Sequence, residues 1–354
     1  MLKNGLVVTD NKKFDLVVVV GATASGKSAL GVRLARDLNG EVVNLDSVQV
    51  FRELDIGSGK ISEREAAGVP HHLIDILSPN DPLDVNEIVK RADQAIADIK
   101  AKGTLPIVVA GTSLYLKCLL GGIIDVPAED QSFRESLQSV DTSVLYSRLK
   151  EADPRRAEEL APADRMRIVR SLEISHLTGR PHSQLIEEHK HKDDRYRALI
   201  IHLAWPREEL YQRIDARCAK MVADGLMAET QQIYSKHGQV AGLSSLGYAQ
   251  AMDVILGKAQ EEGLLSEMQT RTRQFAKRQL TFWRNSPSSM GWKIKPQEEG
   301  VVLKSKEKPL KKGAALLDFM VYNWGYSELV AKLKTSLSAG SQHTELWHLS
   351  AKEL

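Results

Sequence analysis

Hydrophobic positions along this chain follow two rhythms. Unbroken apolar runs at residues 16–20, 105–110 and 198–203 lack the polar alternation of a half-exposed strand, so each is predicted to be a strand buried on both faces. Residues 41–45 read as a further strand. Between these runs the period lengthens. Leu30, Leu34 and Leu38 repeat at i, i+4, i+8, which predicts a helix with one buried face, stopped by Asn39-Gly40. Residues 84–101 predict a second helix, closed by Gly103. Strand and helix in alternation imply an α/β fold, a parallel sheet with helices on both faces.

The rhythm changes near residue 127. From there to residue 194, strand-type runs disappear and helical stretches rich in Arg and Glu replace them, the pattern of a helical insertion. The strand at 198–203 then returns to the sheet, and helices are predicted over 207–224, 246–256 and 264–284. The expected organisation is a core in two parts, 1–126 and 195–290, interrupted by an insertion at 127–194. The second part of the core ends in a basic helix. Residues 291–354 read as a basic linker (Lys304, Lys306, Lys308, Lys311, Lys312) and a tail with a short helix.

Composition narrows this picture without deciding it. With 354 residues and 42% hydrophobic content the chain can bury a real core. A net charge of only +2 means that any nucleic-acid surface must be local. The two cysteines, Cys118 and Cys218, form no CxxC pair, which argues against a zinc site or a disulfide framework. No apolar run approaches the roughly 20 residues that span a bilayer. A cytoplasmic protein, monomeric and without membrane attachment, is expected.

The candidate chemistry starts at the end of the first strand. Gly21-Ala22-Thr23-Ala24-Ser25-Gly26-Lys27-Ser28 matches the phosphate-binding loop G-x-x-x-x-G-K-[ST], in its required place between a buried strand and a helix. The glycines let backbone N–H groups turn around an anion. Lys27 adds a cation there, and the Ser28 hydroxyl can hold Mg²⁺. The loop implies a polyphosphate without naming it. The second strand delivers Asp46 to its carboxyl end, the edge that borders the ligand crevice in open α/β sheets. Asp46 can bind metal, serve as a general base or cap a helix with Ser47; spacing alone leaves these open. His71-His72 makes a poor metal pair, since adjacent residues of an extended chain point apart.

Further motifs stand in line with these. They are Asp-Ser-Val-Gln-Val-Phe at 46–51, Asp-Ile-Gly-Ser-Gly-Lys at 55–60, Gly-Val-Pro-His-His-Leu-Ile-Asp at 68–75 and Ala-Gly-Thr-Ser-Leu-Tyr at 110–115. Arg-Ile-Val-Arg-Ser-Leu-Glu at 167–173 and Ala-Lys-Arg-Gln-Leu-Thr-Phe-Trp-Arg at 276–284 follow. Together with the phosphate loop they resemble the tRNA dimethylallyltransferases, also called tRNA isopentenyltransferases, over roughly residues 16–285. The resemblance implies a P-loop kinase-like core with a helical insertion, both embracing the anticodon arm of tRNA. It implies Mg²⁺ and dimethylallyl diphosphate at the P-loop, and alkylation of N6 of the adenosine immediately 3′ of the anticodon. By the same resemblance Asp46 accepts the N6 proton and Thr112 orients the acceptor or the bridging oxygen. Lys27, Ser28 with its Mg²⁺, and Arg217 hold the diphosphate. Arg213 lies at i−4 from Arg217, and one of the two is expected to be a solvated helix charge.

For tRNA the resemblance implies Asp46, Ser47, Val48, Gln49, Thr112 and Arg134, then Met166, Arg167, Ile168, Val169 and Arg170. Ser244, Gly247, Tyr248, Arg273, Lys277 and Arg278 complete the set. Gln49 suits an adenine edge, because its amide donates and accepts together. Arg273, Lys277 and Arg284 share a helix face beside Phe282 and Trp283, a pattern suited to a phosphate track with base stacking. Four positions depart from the family pattern: Ala22, Ser28, Ala110 and Phe51 replace Pro, Thr, Gly and Tyr. Two other readings share the P-loop. One is an adenylate isopentenyltransferase acting on free nucleotide, which the insertion and the basic helix disfavour. The other is a small-molecule kinase using ATP, with Asp46 as base.

Overall fold

The computed structural model describes residues 14–124, 126–190, 195–289, 293–294, 301–302, 320–321, 326–339 and 345–350. Its first strand, β1 (Leu16–Gly21), is buried at every position, as a run of five consecutive β-branched or leucine side chains requires. Then come α1 (Lys27–Asp37), β2 (Gly40–Leu45), the two-residue β3 (His71–His72), α2 (Val85–Ala101), β4 (Leu105–Ala110) and α3 (Ser113–Gly121). After the insertion come β5 (Ala198–Ala204), α4 (Arg207–Ala223), α5 (Leu226–His237) and α6 (Leu264–Ser289).

The strands pair in parallel in the order β3-β2-β4-β1-β5. Val17 stands beside Ile107 on one side and Leu199 on the other, so the sheet centre is apolar across strands. Residues Glu345–Ser350 add a further parallel strand on the free edge of β5. Helix α1 lays Leu30, Leu34 and Ala35 onto Val42, Val109 and Ile201 in one cluster, which Leu329 and Leu333 of the C-terminal helix Tyr326–Ala339 also join. Each fully buried leucine there contributes roughly 1.5–3 kcal/mol. The order places β1 where the chain's crossovers change direction, the point at which such sheets open a crevice at their carboxyl edge. The loop after β1, the end of β2 and the end of β4 all lie on that edge.

Residues 121–195 form a compact unit of their own. Four of its helices, Gln131–Ser136, Thr142–Ala152, Pro154–Glu159 and Arg165–Thr178, begin after an aspartate whose carboxylate accepts a backbone N–H of the first turn. Asp130, Asp141, Asp153 and Asp164 are these caps, each worth about 1 kcal/mol. The unit's core is Leu137, Leu145, Leu149, Ala157, Leu160 and Ile168. Among the described residues no helix is long and apolar enough to cross a membrane. The linker lysines Lys304, Lys306, Lys308, Lys311 and Lys312 and the side chain of Arg284 lie outside the described residues.

Candidate active site

The phosphate loop is built as its sequence demands. Gly26 takes a left-handed φ of 94° and caps α1, so the helix starts at Lys27 with its first amides turned to the loop. The Lys27 ammonium folds back onto the carbonyls of Gly21 and Ala22, at 3.1 and 2.9 Å. The Ser25 hydroxyl is buried with no partner among the described residues, an unused donor inside the cradle. Ser28 is exposed at the helix start.

Two arginines of α4 border the loop. Arg217 donates to the Ser58 carbonyl at 3.2 Å and lies within electrostatic reach of Lys27 and Asp46. Arg213 donates to the Ala24 carbonyl at 2.8 Å and covers the Trp205 ring at 4.4 Å, while the Trp205 indole donates to the Ser25 carbonyl. Arg217 faces the site, while Arg213 is the exposed member of the pair and braces the loop from outside.

Burial, and then the Arg217 charge, push the Lys27 pKa down to about 8, with Asp46 pulling the other way. The sign of the consequence follows. A bound anion favours the charged lysine, so anion affinity is full below pH 8 and declines above it. Diphosphate affinity is expected to fall about tenfold per pH unit above pH 8, where one proton is linked to binding. Calorimetric titration at several pH values checks this.

Asp46 stands at the end of β2 and Thr112 just past β4, the neighbouring strand. The amides of Gly111 and Thr112 both donate to the Leu45 carbonyl, which locks the two strand ends together. Asp46 Oδ1 accepts the amides of Val48 and Gln49 at 2.9 and 3.2 Å, closing a turn. Its Oδ2 faces Gly111, where an added Cβ would lie only 2.2 Å away. One oxygen thus shapes the turn and the other stays available for chemistry. Thr112 Oγ1 accepts the Ser47 amide at 3.1 Å and donates to the Ser47 hydroxyl at 3.2 Å.

Gln279, on α6, lies within the stretch 276–284 but carries no sequence signal of its own. It is buried, accepts the Thr23 amide at 2.7 Å and donates to the Gly111 carbonyl at 3.2 Å. It ties the phosphate loop to the strand end that carries Thr112. Only its short-range surroundings, invisible in a linear string, mark it out.

Several residues expected at tRNA have other employment. Tyr248 is fully buried, and its hydroxyl donates to Glu229 at 2.5 Å. Ile168 is likewise fully buried, in the core of residues 121–195, and Val169 packs against that core. Trp283 is buried against His202, so it is corrected from a stacking platform to a core residue. Gln49 is buried and spends its Nε2 on the carbonyls of Ser58 and Gly59. Gly247 is buried and Ser244 exposed. Arg273 pairs with Asp215, with Nε at 3.0 Å, and lies over the Tyr211 ring. Lys277 and Arg278 are exposed. Phe51 is buried as a core ring.

Within residues 121–195, Arg134 and Arg170 converge on Glu173, which is fully buried. Burial would raise the Glu173 pKa, but the hydrogen bonds from the two arginines outweigh it and hold the carboxyl low. Both arginines remain about a quarter exposed, at 29% and 27%. Met166 is 82% exposed, and Arg167 is exposed beside Asp164. His71 and His72 take separate partners, the Val69 carbonyl and the Glu41 carboxylate.

The donor set suits a magnesium ion held largely by phosphate and water. Ser28 offers one hard oxygen at the helix start, and no group of three His, Cys, Asp or Glu among the described residues forms a cage of its own.

Comparison with known proteins agrees with this geometry. The IPP transferase family model matches residues 49–286. The tRNA dimethylallyltransferase 1 of Citrifermentans bemidjiense is 40% identical over 294 residues, which cover 82% of this chain and 96% of that protein. The tRNA dimethylallyltransferase 1 of Syntrophotalea carbinolica is 41% identical, covering 80% and 92%. Among solved structures, the tRNA isopentenylpyrophosphate transferase of Bacillus halodurans is 35% identical, with TM-score 0.57, covering 76% of this chain and 86% of that one. A eukaryotic dimethylallyltransferase acting on tRNA has TM-score 0.69 at 30% identity, covering 78% and 71%. With the family model matching residues 49–286 and relatives about 40% identical over most of the chain, the chain belongs to the tRNA dimethylallyltransferase family, the IPP transferases.

Proposed function

We propose that this protein, as a monomer, transfers the dimethylallyl group of dimethylallyl diphosphate to N6 of the adenosine immediately 3′ of the anticodon in tRNA. The observation that carries the reading is the grouping of Asp46, Lys27 and Arg217 within one electrostatic neighbourhood at the sheet edge. The family membership supplies the substrate class. In the reaction a C–N bond forms between N6 and C1 of the prenyl group, the C1–O bond breaks, and diphosphate leaves with its electron pair. N6 gives its proton to Asp46.

An exocyclic adenine amine is a poor nucleophile, so positioning and charge stabilisation must supply most of the acceleration. Asp46 Oδ2 takes the proton while Oδ1 stays fixed by the turn amides. Thr112 and Ser47, bonded to each other, orient the acceptor. Lys27, the first amides of α1, the Ser25 hydroxyl and Arg217 hold the diphosphate as its charge develops. Mg²⁺, bound through Ser28, would supply further neutralisation of that charge.

The test incubates the protein with labelled dimethylallyl diphosphate and Mg²⁺ and asks which acceptor becomes labelled. Label in unmodified tRNA, with no ATP consumed, is the expected result. Label in free adenylate would favour the nucleotide-modifying reading, and coupled ADP release would favour a kinase.

For the anticodon arm we assign Lys277 and Arg278 of α6 and the exposed Met166 and Arg167, with Arg134 and Arg170 contributing their exposed edges. Lys277 and Arg278 point to solvent and have no ion pair among the described residues, unlike Arg273. Replacing Lys277 and Arg278 together by Ala is expected to weaken tRNA binding. The slope of log affinity against log salt should flatten by about one unit for each phosphate that is no longer neutralised. Arg273→Ala should change the slope less, because it also frees the Asp215 carboxylate. A salt titration of tRNA affinity for the three proteins checks this order.

A further inference from the structure

We propose that Glu229 is a positioning residue for the diphosphate end of the site, acting through loop 55–59 on Arg217; the proposal rests on the reading that Arg217 holds the diphosphate. Glu229 lies on α5, outside the phosphate loop and outside every motif that carries the family resemblance. Its carboxylate nevertheless gathers donors from three successive loop residues. The Ile56 amide reaches both oxygens at 3.0 and 2.9 Å, the Gly57 amide reaches Oε1 at 3.2 Å, and the Asp55 amide reaches Oε2 at 3.3 Å. The buried Tyr248 hydroxyl adds a 2.5 Å bond to Oε1.

The next two residues of the loop do the opposite job with their carbonyls. Ser58 accepts from Arg217 Nη2 at 3.2 Å and from Gln49 Nε2 at 3.1 Å, and Gly59 accepts from Gln49 Nε2 at 3.3 Å. Gly59 has a left-handed φ of 60°, and a Cβ there would lie 2.0 Å from Arg217 Nη2, so the guanidinium lies directly on this backbone. The loop is therefore a short rigid bridge. A carboxylate on one side fixes its amides, and its carbonyls on the other side fix the cation beside Lys27 and the Gln49 amide. Loop amides aimed at one anion need its charge, since a neutral amide side chain would turn a donor toward donors.

The test is a double-mutant cycle in the full chain: wild type, Glu229→Gln, Arg217→Ala and the double variant. The readouts are affinity for inorganic diphosphate with Mg²⁺ and KM for the donor. tRNA affinity and melting temperature serve as controls. Glu229→Gln is expected to weaken diphosphate binding about tenfold, ~1.4 kcal/mol, with tRNA affinity falling by less, since of the tRNA groups only the Gln49 amide rests on this loop. In the Arg217→Ala background the same substitution should add less than about twofold, because coupled residues lose their effect together. Losses that multiply in full would make Glu229 a support of the fold alone and overturn the proposal. Unchanged diphosphate affinity in Arg217→Ala would instead overturn the assignment of Arg217, and this proposal with it. Should Glu229→Gln fail to fold, Tyr248→Phe removes one donor from the same carboxylate and enters the same cycle. Its smaller loss must also vanish with Arg217, and full multiplication overturns the proposal equally.

Discussion

Asp46→Asn is expected to reduce prenyl transfer by about 10² or more, the scale on which a positioned general base contributes, while diphosphate and tRNA binding persist. The substitution isolates the proposed proton-accepting role. Asparagine retains an oxygen that can accept the amides of Val48 and Gln49, the two bonds that hold the turn after β2. What it loses is the charge on the second oxygen. That charge also supports the ammonium of Lys27 and the guanidinium of Arg217 electrostatically, so its removal leaves both cations with one anion fewer. The two consequences separate by experiment. Loss of the base lowers the single-turnover rate at saturating donor. Loss of the counter-charge strengthens the pull on an incoming diphosphate and lowers the Lys27 pKa further, shifting the pH dependence of diphosphate affinity downward. A variant that turns over at near the wild-type rate would remove Asp46 from the chemistry and leave it as a turn residue.

The sequence showed the centre of the sheet better than its margins. The runs that became β1, β4 and β5 are continuous and apolar because both of their faces are covered, and no helix needs that pattern. The two-residue β3 escaped because an edge strand carries little apolar signal, and Glu345–Ser350 escaped because Glu345, His348 and Ser350 interrupt any apolar run. Helix α5 was also missed: its buried residues are only Leu226, Thr230 and Ile233, too few to imprint a periodicity. At the site, the P-loop could be read because its chemistry is local, eight consecutive residues folding around an anion. Asp46 and Thr112 could be placed at strand ends, but their meeting depends on β2 and β4 being neighbours, which only topology fixes. Gln279 and Glu229 were silent for the same reason. Each acts on a segment more than 170 residues away in the chain, by hydrogen bonds that leave no spacing to read. Tyr248, Ile168 and Trp283 show the converse. Ile168 and Trp283 sit in motifs rich in exposed cations and Tyr248 opens a helix after Gly247, yet each is the apolar side of its helix and supports the fold from within.

Gly111→Ala should be nearly as damaging as losing the Asp46 charge, although it adds a single methyl group and leaves every functional group in place. The expected fall in transfer rate is about 10², the cost of misplacing a reacting group by roughly 1 Å. The new Cβ would lie 2.2 Å from Asp46 Oδ2, 3.1 Å from its Cγ and 3.3 Å from its Cβ. A long flexible side chain would swing away at little cost, but this one is anchored. Its other oxygen is held by two backbone amides, and Gly111 is held by the bond from its own amide to the Leu45 carbonyl. The carboxylate must therefore rotate out of its turn, and the Gln279 bond to the Gly111 carbonyl is strained in the same movement. The preceding position gives the control. Ala110 already carries a methyl where the family pattern has glycine, and it is buried at the end of β4 in the core of the sheet. Ala110→Gly should therefore leave turnover close to wild type and cost about 1 kcal/mol of stability from chain entropy and reduced burial. Single-turnover rates for the two variants, with diphosphate affinity as a check that the P-loop is intact, decide the matter. Equal, near-normal rates would mean that Asp46 has room to move and that the fixed geometry of its carboxylate is not what the reaction uses.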